Sequence, residues 1–254
     1  MLSKNQVKYL QSLHMGKFRD EYKVFPAEGV KLVNELLLSH FSIIEIFGLN
    51  DWFENNKELV QAKKTEFQEI TAEELKKISN MVTPNEVLAV VQYPELKVPD
   101  SSDLGELTLY LDHIQDPGNL GTIIRTADWF GIRNIFCSPG TADVYNPKVV
   151  QATMGSICRV NIQYLEPEKL KQHLDPSWKI YGTLPGSENI YNSELLYPAV
   201  IVIGNESKGI SESTKSLLTH AIGIPSFAEG AESLNASVAT GIVISEFCRR
   251  KTKQ

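Results

Sequence analysis

The chain has 254 residues, 42% of them hydrophobic and 22% charged. That is enough apolar material to bury a core without metals or disulfides, and too much for a wholly disordered chain. Lys and Arg number 25 against 31 Asp and Glu, a net charge of −6, which excludes a protein that coats nucleic acid by bulk positive charge but not one that meets it on a local patch. Such a patch has a place at the start of the chain. Residues 1–31 carry Lys4, Lys8, Lys17, Arg19, Lys23 and Lys31 against Asp20, Glu21 and Glu28, an excess of positive charge.

The first half of the chain alternates short elements. Residues 3–13 predict a helix with Val7, Leu10 and Leu13 on one side, and residues 28–38 another, with Val30, Val33, Leu36 and Leu37 apolar. Residues 42–47 read as a strand, Thr71-x-x-Glu74 opens a helix with a capping box, and Val87–Val91 is a further strand. Residues 92–106 hold two prolines, a Ser-Ser pair and a glycine without periodicity, the composition of a linker. Beyond it strands alternate with helices. Strands are expected at 107–113, 134–137, 160–164, 179–184, 200–204 and 221–225, and helices at 120–130, 147–158, 167–174, 211–218 and 235–250. Runs such as Ala199-Val-Ile-Val-Ile203 are apolar throughout, as strands covered on both faces are. The reading is an α/β protein of two domains, the second built on a mostly parallel sheet, whose ligands bind beyond the strands' carboxyl ends.

Cys137, Cys158 and Cys248 are scattered and lack CxxC spacing, and the five histidines lack HExxH spacing, so neither a disulfide framework nor a metal site is expected. The first residues lack the apolar core of a signal peptide, and no run approaches the roughly 18 apolar residues of a membrane span. A cytoplasmic protein without membrane contact is expected.

Three loops after strand-like runs carry the polar residues. The first is Asp112-His-Ile-Gln-Asp-Pro-Gly-Asn119-Leu-Gly121, leading into a helix whose stripe is Leu120, Ile123, Ile124, Ala127 and Phe130, with Arg125 off the stripe. Asn119 by itself reads as a helix cap and Arg125 as a surface arginine. The second, Gly204-Asn-Glu206-Ser-Lys-Gly209-Ile210, has the outline of a P-loop but Ile210 where Lys must follow the second glycine, which argues against triphosphate hydrolysis. No GxGxxG follows the first strand of this domain, which disfavours a nicotinamide or flavin site. The third runs from Ile224-Pro-Ser-Phe227 to Ser233-Leu-Asn235-Ala-Ser237, where Ser233 and Asn235 are cap candidates.

Taken together and in this order, the three loops closely resemble the motifs of the SpoU (TrmH-type) RNA 2′-O-ribose methyltransferases of the SPOUT superfamily, over residues 112–240. Gly16-Lys-Phe-Arg19 followed by Phe25-Pro-Ala-Glu-Gly29-Val30 more loosely resembles the L30e-like substrate-binding domain that these enzymes often carry. The resemblance implies residues 1–95 as an RNA substrate-binding domain, 96–106 as linker and 107–254 as a methyltransferase domain with a deep trefoil knot. It implies S-adenosylmethionine as cofactor, bound chiefly by backbone at Gly204, Ile224 and Leu234, with Thr183 a further candidate, and a homodimer formed through the C-terminal domain. Asn119, Arg125, Glu206, Ser233 and Asn235 match the family's polar active-site positions. The third loop departs from many relatives by one extra residue and by Ser226-Phe227 in place of Met and a small residue.

The implied reaction is in-line attack of a ribose 2′-oxygen on the cofactor's methyl carbon. The resemblance offers two roles for Arg125, general base or phosphate clamp; deprotonating a guanidinium near neutral pH is costly, so a charged Arg125 gripping phosphate and stabilising the developing alkoxide is the more economical. Asn119 would hold the arginine or ribose, Glu206 would orient Asn119, and Ser233 and Asn235 would fix the third loop. Structured ribosomal RNA is favoured over transfer RNA as the substrate, with contacts at Lys4, Lys8, Lys17 and Arg19. The alternative of another class is a catalytically silent RNA-binding or assembly protein on the same scaffold, which would bind RNA but not the cofactor.

Overall fold

The computed structural model describes residues 1–95, 97–227 and 233–251. Its elements begin with α1 (Lys4–Ser12), α2 (Gly16–Tyr22), β1 (Val24–Glu28), α3 (Val30–Leu38), β2 (Ile43–Gly48), α4 (Asn50–Lys63), β3 (Glu66–Glu69), α5 (Ala72–Ile78) and β4 (Val87–Gln92). They continue with β5 (Leu107–Leu111), α6 (Pro117–Trp129), β6 (Asn134–Cys137), α7 (Pro147–Ala152), β7 (Asn161–Tyr164) and α8 (Pro167–His173). The last are β8 (Lys179–Asn189), β9 (Ala199–Ile203), α9 (Glu212–Lys215), β10 (His220–Gly223) and α10 (Ala236–Lys251). Packing divides the chain into two compact units, Met1–Glu95 with Asp143–Arg159, and Leu96–Ala142 with Val160–Gln254. Among the described residues no helix is long and apolar enough to cross a membrane.

The N-terminal unit is a mixed sheet in the order β1-β4-β2-β3, with β4 antiparallel to β1 and β2, and β3 parallel to β2. Helices α1 and α5 start where side chains satisfy the free first-turn amides. Both capping boxes are complete, Ser3 with Gln6 and Thr71 with Glu74. Leu10, Leu13, Val24, Phe47, Leu75, Ile78, Leu88 and Val90 form one buried cluster, and each large side chain there contributes about 1.5–3 kcal/mol of burial.

Asp143–Arg159, which the sequence places inside the second domain, completes this first unit. Asp143 pairs with the Arg19 guanidinium at 2.6 Å, the Tyr145 ring stacks between Phe25 and Tyr93 at 4.8 and 4.2 Å, and Arg159 meets Glu35 at 2.5 Å. The helix expected over 147–158 stops at Ala152. Met154 (φ 52°) and Gly155 (φ 96°) turn left-handed, and a short 3-10 turn at Ser156–Cys158 follows.

The C-terminal unit is a six-stranded sheet in the order β10-β8-β9-β5-β6-β7, parallel at every pairing. Val200, Ile201, Val202 and Ile203 of β9 are all buried, as a strand covered on both faces requires. The strand order reverses between β5 and β9. β5 leads to β6 and β7 on one side, while β9 and β8 lie on the other. Such a reversal opens a crevice at the strands' carboxyl ends, and this one is flanked by the first two polar loops.

Candidate active site

β5 and β9 pair in register, Leu111 opposite Ile203, so the loops leaving them are neighbours from their first residue. The Asp112 amide donates to the Ile203 carbonyl at 2.8 Å. The second loop then closes on itself, with Asn205 and Gly209 exchanging two backbone hydrogen bonds at 3.0 and 2.8 Å. A Cβ on Gly204 would stand 2.5 Å from the Gly209 carbonyl carbon, so only glycine allows this closure. The tight loop presents Glu206, half-buried, toward the start of α6.

Sequence reasoning made Asn119 a cap candidate, but the cap of α6 is Asp116. Its carboxylate accepts the Asn119 amide at 2.7 Å, with Pro117 in the first turn. The Asn119 side chain is thereby released for longer-range work. Asn235 does cap α10, its Oδ1 accepting the amides of Ser237 and Val238 at 3.0 and 3.3 Å. That fixes the Asn235 Nδ2 as a donor, and it donates to Asn119 Oδ1 at 2.9 Å. Asn119 Nδ2 must then face the other way, where it donates to the Glu206 carboxylate. The direction of this relay follows from donor and acceptor chemistry, since a carboxylate only accepts. One residue from each of the three loops thus meets in a single polar chain.

The other predicted residues lie apart from this chain. Arg125 is exposed on α6, six residues beyond Asn119 and hence about 9 Å further along the helix axis. No hydrogen bond or ion pair of its guanidinium occurs among the described residues. Ser233 is exposed at the C-terminal end of the third loop, while the loop's residues 228–232 lie outside the described residues. Thr183, half-buried, donates its hydroxyl to the Val202 carbonyl at 2.9 Å. Ile224 is half-buried, Leu234 is exposed and Phe227 is almost wholly so.

Lys4, Lys8 and Lys17 are exposed in the N-terminal unit. Arg19 is not a surface contact. Its side chain is 3% exposed, and its guanidinium serves the carbonyls of Leu13 and His14 as well as Asp143. A buried guanidinium keeps its charge by such partners, and that draws Arg19 inward from the patch expected for it.

Two residues of the first loop escaped the sequence reading. Asp112 is fully buried. One oxygen accepts the Ser211 amide at 2.7 Å and the other meets the His113 Nδ1 at 2.7 Å. Burial pushes its pKa up, but the hydrogen bonds from Ser211, His113 and Thr214 outweigh burial and hold it below the ordinary value. His113 has a left-handed backbone, φ 58°. Nothing in composition or spacing announces that conformation; histidine only visits it somewhat more often than most residues.

A crevice at a parallel sheet's switch point, and a polar relay drawn from three loops, mark where an α/β protein of this topology would take its ligands, beyond the carboxyl ends of β5 and β9. Comparison with known proteins then gives the family. Residues 106–245 match the model of the SpoU rRNA Methylase family, and residues 4–89 that of the MRM3-like substrate binding domain. The chain belongs to the SpoU rRNA methylase family.

It is 30% identical to the 23S rRNA (guanosine(2553)-2′-O)-methyltransferase of Bacillus subtilis, over 95% of this chain and 96% of that one. A TrmH-family structure from Porphyromonas gingivalis superposes with a TM-score of 0.86 at 37% identity, covering 98% of this chain and 99% of that one. An AdoMet-bound rRNA methyltransferase from Sinorhizobium meliloti does so with a TM-score of 0.86 at 28% identity, covering 99% and 96%.

Proposed function

We propose that this protein transfers a methyl group from S-adenosylmethionine to a ribose 2′-hydroxyl of ribosomal RNA. The observation that carries the reading is the Asn235–Asn119–Glu206 relay, on a chain whose Bacillus relative is named for 2′-O-methylation of 23S rRNA. The residues fit the cofactor in kind. Leu184 within β8 and Ile224 just beyond β10 are half-buried, and Leu234 stands exposed before α10. Aliphatic side chains of this sort suit the faces of an adenine. Thr183, Gly204, Ile224 and Leu234 would hold it. When bound, the cofactor supplies an electrophilic methyl carbon on a sulfonium, which needs alignment more than activation.

Alignment is the protein's share, and in favourable intramolecular systems it is worth about 7–11 kcal/mol. Asn119 is held at both ends of its amide, so it presents a fixed edge to the ribose. Arg125, charged and exposed, grips the target phosphate and stabilises the alkoxide as the 2′-proton leaves to phosphate oxygen or water. Ser233 and Asn235 hold the third loop in place beside both substrates. RNA arrives on the N-terminal unit at Lys4, Lys8 and Lys17. Two copies associate through the C-terminal unit, a reading supported by Trp129 and Val238, exposed on α6 and α10. The family's trefoil knot lies around the second and third loops, and three scattered cysteines without CxxC spacing accord with a cytoplasmic location.

The test is transfer of tritiated methyl from S-adenosylmethionine to total RNA, followed by mapping of the modified ribose. Label at one 2′-oxygen of ribosomal RNA is expected. Label on transfer RNA alone would move the substrate, and cofactor binding without any transfer would refute the activity.

A further inference from the structure

The relay places Glu206, but nothing in the relay explains what holds the loop that carries it. The loop is fastened at both ends by two consecutive residues of the first loop. At its start, the Asn205 Nδ2 donates to the His113 carbonyl at 2.9 Å, while the Asn205 Oδ1 accepts the amides of Ser207 and Lys208, both at 3.0 Å. At its end, the Ser211 amide donates to Asp112 Oδ2 at 2.7 Å. Asn205 is the residue before Glu206, so its position sets that of the carboxylate next to it.

The His113 carbonyl reaches Asn205 from a backbone that few side chains tolerate. Its left-handed φ of 58° is enforced from three directions. The His113 amide donates to Ser138 Oγ at 2.9 Å, and its Nδ1 meets Asp112 Oδ1 at 2.7 Å. The ring lies against Gly140, where an added Cβ would stand 2.3 Å from His113 Cδ2. A costly conformation held by so many partners signals a role for the atoms that it aims, and here the aimed atom is the carbonyl oxygen.

We propose that Asp112 and His113 are positioning residues, which clamp the 204–211 loop at both ends and thereby set where Glu206 meets Asn119. The inference rests on the reading of Glu206 as part of the active site. It acts through main-chain geometry at His113 and through the carboxylate at Asp112, with neither residue touching substrate.

The test separates the backbone of His113 from its imidazole. His113→Asn accepts the left-handed conformation and keeps a polar side chain for Asp112, whereas β-branched His113→Val refuses that conformation. His113→Val should lower kcat at least tenfold with the KM for RNA within twofold, and Asn205→Ala should do the same by removing the other end of the bond. His113→Asn should restore kcat to within about threefold of the unaltered enzyme.

Amide hydrogen exchange supplies a readout that does not pass through activity. Ser207, Lys208 and Ser211 should exchange at least tenfold faster in His113→Val and Asn205→Ala, but not in His113→Asn. If His113→Asn loses as much kcat as His113→Val, the imidazole matters and not the carbonyl, and the clamp is wrong. Unchanged exchange and kcat in Asn205→Ala would also overturn it, and that variant stands in should His113→Val fail to fold. Glu206→Ala is run beside them. If it leaves kcat intact, the role of Glu206 fails, while the exchange rates still decide whether the clamp exists.

Discussion

The amide of Asn119 can be tested by reversing its polarity. Asn119→Asp keeps the size and keeps an oxygen to accept from Asn235, so the change falls only on the side facing Glu206. There the donor is replaced by a second carboxylate, within hydrogen-bond reach of the first. Two negative charges about 4 Å apart repel by about 4 kcal/mol at an effective dielectric of 20, so the pair shares one proton or the loop withdraws. The bond removed is a hydrogen bond to a charged group, worth about 1.5–3 kcal/mol. If Asn119 must be held for the reaction, the rate falls by about 10- to 150-fold, at 1.36 kcal/mol per factor of ten.

Two further outcomes distinguish this from general damage. The shared proton binds more tightly than to a lone carboxylate, because each charge raises the other's pKa. The protonated form, which restores a donor, therefore gains as pH falls, and the Asn119→Asp rate relative to the unaltered enzyme should rise between pH 8 and 5.5. Adding Glu206→Gln should return at least fivefold, since the glutamine amide can donate to the new carboxylate. The assay is single-turnover transfer of tritiated methyl with enzyme in excess over RNA. A ratio flat across pH, with no return in the double variant and with unchanged melting temperature, would refute the relay as the device that sets the rate.

Charge reversal of Lys4, Lys8 and Lys17 should weaken RNA binding and reduce its salt slope by about 0.7–0.9 log units for each phosphate that is no longer neutralised; filter binding across a salt series checks it. Gly204→Ala drives a Cβ to 2.5 Å from the Gly209 carbonyl carbon, so calorimetry should find S-adenosylmethionine binding weakened at least tenfold. Arg19→Ala leaves two carbonyls and the Asp143 carboxylate, itself 40% exposed, without their donor, a loss of about 1.5–3 kcal/mol, as for a hydrogen bond between charged groups. Urea unfolding that shows a cost below about 1 kcal/mol would contradict that. In α10, hydrogen bonds from Arg249 hold the Glu246 pKa at about 2 against the ordinary 4.5, outweighing burial, with Arg250 adding to the effect. Because the folded value is depressed, this stabilisation is complete above about pH 5 and is lost as pH falls toward 2. Glu246→Gln should flatten the melting-temperature profile in that window.

The elements that sequence periodicity failed to show share a physical character. β1 contains Pro26, which reads as a breaker. The strand pairs only with β4 at the edge of its sheet, where a missing amide is tolerated. β3, Glu66-Phe-Gln-Glu69, is the opposite edge and has almost no apolar signal. α4 buries only Trp52, Asn56 and Val60, a stripe one residue wide with a polar member in the middle. By contrast the central strands β5, β6 and β9 of the C-terminal sheet are buried almost throughout, so their apolar runs stood out, and β6 falls where it was expected. The share of Asp143–Arg159 in the first unit had no local signal at all. It rests on Arg19 meeting Asp143 and on Tyr145 filling the space between Phe25 and Tyr93, contacts between residues far apart in the chain.

The active site divides along the same line, and Asn119 shows where. Pro117 in the first turn of α6 already points to Asp116 as the cap, because proline suits the position directly after it. That local rule was enough to free the Asn119 side chain for another purpose. It could not say which purpose. Glu206 and Asn235 lie 87 and 116 residues away, and periodicity describes only the element in which a residue sits. What brings them together is the strand order, with β9 placed beside β5 so that Gly204 follows Ile203 at the level of Asp112. The chemistry was legible as three polar loops. Their convergence is a property of topology, and the direction of the relay follows once Asn235 is seen to cap its helix.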